Sequence, residues 1–428
     1  MRTREEPRKK GPSNVLRVLG PGLITGAADD DPSGIATYSQ AGAQFGYALC
    51  WTMLLTLPLM AAIQIISGNI GWQTRRGLAH NLAQHVPGAV LYALIALLVV
   101  ANTINIAADL AAMAEVVRLV FGGPALAYTG AFGLGCLAAE VFVPYHRYAG
   151  YLKFLTLVLL VYVATAFSVE VPWSRVFAAT LIPALLPDRG YLLTILAVFG
   201  TTISPYLFFW QASQEAEESE LSYRHALGPA AGLSRSFADI SVDTWVGMLF
   251  SNVIGFFIIV TTAATLNAHG IVRVETASQA AEALRPVAGE LTFVLFAAGI
   301  IGTGLLAVPV LAGSAAYAVA ELFGLQGSLE LPANRALGFY GVVGAATLGG
   351  VALAATRIDA IAMLFWSAVI NGLVAVPIVI ALMLVISSKS GRRTFAFPRW
   401  LLALGWLAST VLVAVVCLFL FFTLTQSA

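Results

Sequence analysis

Three consecutive carboxylates, Asp29, Asp30 and Asp31, stand between an apolar run from Leu16 to Ala28 and a Pro32-Ser33-Gly34 step. An ionisable group at the bilayer centre costs at least ~2.5 kcal/mol on insertion scales, so acids in such a run mark an ion or substrate path. Proline removes a backbone donor and glycine tolerates unusual dihedrals, so the helix is expected to unwind at Pro32 and Gly34 and free carbonyl oxygens beside the acids. A half-helix C-terminus carries about half a negative charge, and next to a carboxylate it makes a cation site. Residues 190–220 repeat the logic, with a break at Gly200-Thr201-Thr202-Ile203-Ser204-Pro205 inside an apolar helix. A third stretch places Asn102, Asn105 and Asp109 on one helical stripe. The asparagines serve equally well as interhelical glue. Asp109 needs a partner, a proton or water, and reads as a proton relay or part of a hydrated path.

The elements that position these groups are membrane spans. Hydrophobic residues make up 59% of the chain and charged ones 11%, with a mean hydropathy of +0.85, far from the globular norm of about one quarter charged. At about 20 apolar residues per span, eleven stretches qualify: 16–44 (broken), 47–70, 87–118, 123–143, 149–168, 190–216 (broken), 241–266, 289–321, 335–354, 358–384 and 398–423. With the polar tail 1–15 on the cytoplasmic side, only Arg118, Arg175, Arg189, Arg273, Arg285 and Arg357 fall outside, which obeys the positive-inside rule. The chain is therefore expected in the cytoplasmic membrane with its C-terminus outside. A net charge of +1 excludes nucleic-acid binding through bulk charge. Cys50, Cys136 and Cys417 lie in apolar stretches without CxxC spacing and read as packing residues.

A Pro-Gly break in one span is more often a kink than a site. Here the breaks at Pro32 and Pro205 fall in the first and sixth spans, so each opens a group of five, 16–168 and 190–384, with 398–423 left over. Paired interruptions at corresponding positions point to an inverted-repeat transporter with its site at the midplane. Pro58, Pro309 and Pro377 read as kinks, and Asn252 and Asn371 as glue. Glu215, Glu217, Glu218 and Glu220 read most simply as a solvated helix end, with a cation-attracting vestibule as the alternative.

These residues resemble a known family. GPGLITGAADDDPSGIATYSQAGAQFGY is similar to the first helix of Nramp (natural resistance-associated macrophage protein) metal transporters, with its Asp-Pro-Gly-Asn signature and Ala-Gly-Ala-Gln-Phe-Gly-Tyr-like sequel. GTTISPYLFF resembles their sixth helix, normally Gly-Ala-Thr-Val-Met-Pro-His, and NIAADLAAMAE their third. The resemblance implies an all-α LeuT-like fold of two inverted five-helix repeats plus an eleventh helix, and secondary transport of divalent metals. It also implies that Asp31 is the metal-binding aspartate and that Gly34 stands where the family has asparagine. Thr201 matches the carbonyl-supplying position, Ser204 replaces the methionine, and Tyr206 replaces the histidine associated with proton movement. Asp109 matches the third-helix aspartate, while the nearby glutamate position falls on Ala112, with Glu115 one turn later.

Loss of the thioether beside Asp29, Asp30, Thr201 and Ser204 shifts the ligand set to hard oxygen, which suits Mg²⁺, Ca²⁺ or Mn²⁺. The chain thus resembles the divergent Nramp-related branch that includes magnesium transporters. Two other readings stay open: a Na⁺-coupled carrier of a small solute on the same fold, and a metal sensor without flux. No HExxH, GxSxG or paired His-acid motif supports an enzyme. No cofactor is expected, the divalent ion being substrate, and the expected partners are that ion and the lipid bilayer, with the monomer as the simplest unit.

Overall fold

A computed structural model describes residues 20–426 apart from 144–155, 185, 187, 227–235 and 357. The predicted tail 1–15, the first part of the fifth span and the cations Arg147, Lys153, Arg235 and Arg357 lie outside the described residues. The described residues form helices and no strands. In chain order the main helices are α1 (Pro21–Asp29), α2 (Pro32–Phe45), α3 (Cys50–Thr74), α4 (Leu78–Ala83), α5 (Gly88–Phe121), α6 (Ala125–Phe142), α7 (Leu160–Ser168) and α8 (Trp173–Leu181). They continue with α9 (Arg189–Thr202), α10 (Pro205–Ala226), α11 (Phe237–Thr265), α12 (Ala277–Glu282), α13 (Thr292–Phe323), α14 (Leu337–Ala354), α15 (Ala360–Ser387) and α16 (Arg399–Gln426).

Every predicted span has a helical counterpart. By length and apolarity, nine stretches among the described residues can cross a membrane, or ten if α7 and α8, bent by 118°, form one broken span. The lower count arises partly because Pro32–Thr74 runs together two predicted spans through a tight turn at Gly46, where φ is +57°. Pro58, Pro309 and Pro377 all lie inside continuous helices.

The two broken spans sit at the centre. In the window that qualifies it as a span, 94% of α9–α10 is buried inside the protein, against 22% for α16. Such centrality needs small contact residues. A Cβ on Gly26 would collide with the backbone of Gly247, so α1 lies directly on α11; a Cβ on Gly200 would collide with Ala368 and Gly372, so α9 lies directly on α15. The start of α1 is held by a carboxylate: Asp243 on α11 accepts from the backbone N–H groups of Gly20 (2.9 Å), Gly22 (2.9 Å) and Leu23 (3.1 Å). These are donors that a helix N-terminus cannot satisfy itself.

Candidate metal site

The first break falls earlier than the sequence suggested. Asp30 (φ −83°, ψ 43°) and Asp31 (φ −65°, ψ 168°) are the non-helical residues, and Pro32 is the first residue of α2. Proline at this position has its φ preset and lacks a donor that would be unpaired anyway, so it starts the second half-helix. Asp31 caps it, with Oδ1 accepting from Gly34 N–H and from Ser33 Oγ, each at 2.7 Å. Its Oδ2 accepts from Asn105 Nδ2 at 2.8 Å. Asp31 is fully held by neutral donors from α2 and α5, which fixes the carboxylate without a basic partner.

The second break agrees with expectation. Helix α9 ends at Thr202 and Pro205 opens α10. Ser204 Oγ lies 2.6 Å from Gly200 O and 2.9 Å from Thr201 O, so its proton is committed to the last turn of α9. The Thr201 carbonyl that the resemblance points to thus shares the one Ser204 proton with Gly200 O, and the Thr201 hydroxyl is the group that meets α2. At Gly34 the place of a missing Cβ lies 3.1 Å from Thr201 Oγ1, 3.3 Å from Asp29 O and 3.5 Å from Asp31 Oδ1. Three oxygens of different origin thus converge on the flank of Gly34, and a side chain there would press against them. Asp31, Gly34 and Thr201 are therefore brought together.

Asp29 and Asp30 are placed differently. Both carboxylates turn to Ser251 on α11, whose Oγ bonds Asp29 Oδ2 and lies 3.1 Å from Asp30 Oδ1. Asp29 reaches the Gly34 space by its main-chain oxygen. No group of three or more His, Cys, Asp or Glu among the described residues is arranged to hold a metal. Tyr206 O–H donates to Ala28 O at 3.0 Å and so ties the start of α10 to the end of α1. Asp109 is fully buried and neither of its oxygens has a hydrogen-bond partner.

The asparagines divide. Asn102 donates across to Leu311 O (2.9 Å) and Ser314 Oγ (2.8 Å), and Asn252 to Thr56 Oγ1 (3.2 Å), as glue does. Asn105 instead orients Asp31 and keeps its own Oδ1 unpartnered. Asn371, read as glue, makes no hydrogen bond at either amide atom although it is 1% exposed. It precedes Gly372, which packs on Gly200 at the second break, so a ligand-capable amide was missed there. Ser251 was missed as well. A serine in an apolar helix gives no local signal, and only the crossing of α1 and α11 reveals its role.

Access differs on the two sides. Next to the site, Ile35, Ala36, Ala112, Ala280, Ile361 and Leu364 close to leave a cavity of about 10 Å³, too small for a path. At the end carrying Arg75 and Arg76, a cavity of about 580 Å³ is lined by Glu217, Glu220, Glu321 and Glu330. Of the glutamates read as a solvated helix end, Glu217 and Glu220 line this cavity, as in the vestibule alternative, and Glu215 departs from both readings. Glu215 is fully buried, and Glu217 accepts from Tyr317 O–H at 2.8 Å. Burial, and then Arg76, hold the His80 imidazole in this cavity below its ordinary range. Its positive charge in this cavity is correspondingly reduced.

Comparison with known proteins agrees with this architecture. A family model, natural resistance-associated macrophage protein-like (Nramp), matches residues 22–422. The divalent metal cation transporters MntH of Verminephrobacter eiseniae and Yersinia pestis are each 27% identical, over 308 and 298 residues, covering 70% and 68% of this chain and 67% and 69% of theirs. A crystal structure of the Eremococcus coleocola manganese transporter in complex with an aromatic bis-isothiourea substituted compound superposes with a TM-score of 0.72 at 18% identity, covering 96% of this chain and 88% of that one. Mhp1, a nucleobase-cation-symport-1 family transporter, superposes with a TM-score of 0.57 at 13% identity, covering 95% and 93%. The expected all-α LeuT-like fold is thus borne out, with its broken first and sixth spans in place. From the broken helices to the match over residues 22–422, the chain belongs to the natural resistance-associated macrophage protein-like family.

Proposed function

We propose that this protein is a secondary transporter that moves a divalent metal cation across the cytoplasmic membrane by alternating access. The observation that carries this reading is the convergence beside Gly34 of Asp31 Oδ1, Thr201 Oγ1 and Asp29 O, between the two broken helices. All three donors are hard oxygen, and no thioether or imidazole stands among them. Mg²⁺ takes oxygen ligands and dehydrates reluctantly. Mg²⁺ or Mn²⁺ is therefore favoured over softer metals.

Alternating access is supported by the asymmetry of the paths: an apolar plug on one side of the site and a wide acidic cavity at the other end. The repeat boundaries 16–168 and 190–384 and the inside placement of the N-terminus belong to the same proposal. Purified protein in liposomes loaded with a metal-sensitive dye tests it. Uptake of Mg²⁺ or Mn²⁺ should saturate, and Asp31→Ala should abolish it while the protein stays monodisperse. Wild-type uptake by a well-folded Asp31→Ala protein would sink the site.

A further inference from the structure

We infer that the turn between α15 and α16 is a docking surface for the phosphate headgroups of anionic phospholipids, built from Lys389, Arg392, Arg393 and Arg399. The charge there is one-sided. These are the only cations of residues 360–428, all of them inside 389–399, and no Asp or Glu stands between Asp359 and Ala428. All four side chains are exposed, and none makes an ion pair or a hydrogen bond among the described residues. Cations elsewhere are met within the protein: Arg118 pairs with Glu115 at 2.6 Å, Arg285 with Glu282 at 2.9 Å, and Arg75 lies 3.7 Å from the centre of the Tyr223 ring. The positive-inside bias explains why cations gather at one side of a membrane. It asks for neither the absence of acids nor a fixed arrangement.

The arrangement is fixed because the turn is folded onto α15. Gly391 N–H donates to Ser388 Oγ at 2.9 Å, Arg392 N–H to Ser388 O at 3.0 Å, Arg393 N–H to Ser390 O at 3.0 Å and Phe395 N–H to Gly391 O at 2.7 Å. A Cβ on Gly391 would collide with the carbonyl of Val385, so the turn lies directly on the last turn of α15. Phe395 is buried, and its ring stacks on that of Phe397 with centroids 6.1 Å apart and planes 15° from parallel. Arg392 and Arg393 are thus displayed as a pair on a held backbone, and less freedom is lost when one anion engages both.

Depth is marked independently of charge. Trp400 and Trp406 are 48% and 37% exposed, and Trp406 Nε1–H donates to Ser387 Oγ at 3.0 Å, which sets its ring beside the last residue of α15. Tryptophan on the flank of a spanning helix is enriched at headgroup level. The neighbouring cations therefore lie at the depth of lipid phosphates, whose oxygens arginine matches bidentately. Clusters of Lys and Arg at the end of a spanning helix attract anionic lipid. An occupant that is both anionic and held at this depth is a phospholipid, not a free phosphate or an acidic protein. Lipid bound here braces the end of α15, whose Ala368 and Gly372 pack on Gly200 at the second break.

The test titrates purified full-length protein in a neutral detergent, with divalent ions chelated, with phosphatidylglycerol and phosphatidylcholine of the same acyl chains, and reads bound lipid by native mass spectrometry. The wild type should bind phosphatidylglycerol in preference. Each cation near an anionic surface contributes about fivefold, so Arg392→Gln/Arg393→Gln should weaken that binding by about twentyfold. Arg392→Lys/Arg393→Lys should keep most of it, and Arg273→Gln, a change of an exposed cation between α11 and α12, should leave it unchanged. If the glutamine pair does not fold, Lys389→Gln decides, with a loss of about fivefold expected. Equal binding of the two lipids by the wild type overturns the site, as does wild-type preference in the folded glutamine variant. An equal loss in Arg273→Gln would trace the preference to bulk charge and overturn it too. Displacement of the lipid by inorganic phosphate would make this a free-anion site and overturn the assignment to phospholipid.

Discussion

Gly34→Ala separates stability from binding more cleanly than any change at an acid. Gly34 lies in the first turn of α2 and is absent from the positive-φ residues of the chain, so alanine meets no backbone strain there. Replacing glycine in a helix favours folding by about 1 kcal/mol. Against this, the new methyl group sits 3.1 Å from Thr201 Oγ1 and 3.3 Å from Asp29 O. The first contact relaxes by a rotation of the threonine and the second asks the main chain to give by a few tenths of an ångström. The two effects roughly cancel, and thermal unfolding should move little. Binding should not escape. On the proposed function the methyl group presses on the three oxygens assigned to the ion, and each bond to a charged group that is lost costs about 1.5–3 kcal/mol. Isothermal titration with Mg²⁺ and with Mn²⁺ should then show affinity reduced by about ten- to a hundredfold. A stable Gly34→Ala protein with wild-type affinity for both ions would show that the ion sits elsewhere.

Ser204→Met places a thioether next to the second break and removes the hydroxyl that occupies the Gly200 and Thr201 carbonyls. Cd²⁺ binding should rise relative to Mg²⁺, and an unchanged preference order in calorimetry would show that residue 204 does not face the ion. Gly26→Ala overpacks the α1–α11 contact and should lower stability by about 1–3 kcal/mol, read as a fall in unfolding temperature in detergent; an unaltered temperature would mean that the two helices separate easily. Proton coupling should be weak: tyrosine titrates near ~10 where histidine titrates near ~6.5, and the Tyr206 hydroxyl is already committed to Ala28 O. Tyr206→Phe should therefore leave the pH profile of uptake unchanged, and metal uptake should acidify the liposome lumen little. Robust acidification that survives in Asp109→Asn would send the search for a proton carrier elsewhere.

Sequence patterning and three-dimensional contact contribute different parts of this site. The spans and the two breaks were legible because hydropathy, proline and glycine are local signals, whereas the pairing of Asp31 with Thr201 came from the resemblance to a family. The break itself was placed late, since proline after a capping aspartate begins a helix at N1 as readily as it interrupts one. What local signals could not carry is direction. Three successive aspartates at a helix end fan out around the chain, and which of them faces the ion depends on the partner that meets each one. Asp31 meets Asn105 from α5 and the first turn of its own helix; Asp29 and Asp30 meet Ser251 from α11.

The same reasoning explains why Gly22, Gly26 and Gly247 matter to the site without touching it. Their missing side chains let α1 approach α11 closely, and that approach brings the two spare carboxylates to Ser251 and leaves Asp31 at the break. Widening the contact should therefore disturb Asp29 and Asp30 before it disturbs Asp31. In the Gly26→Ala protein, divalent affinity should therefore stay within a few-fold of the wild type. A loss of divalent binding as large as that in Asp31→Ala would mean that the three acids act as one ligand cluster, and the division of labour between them would have to be abandoned.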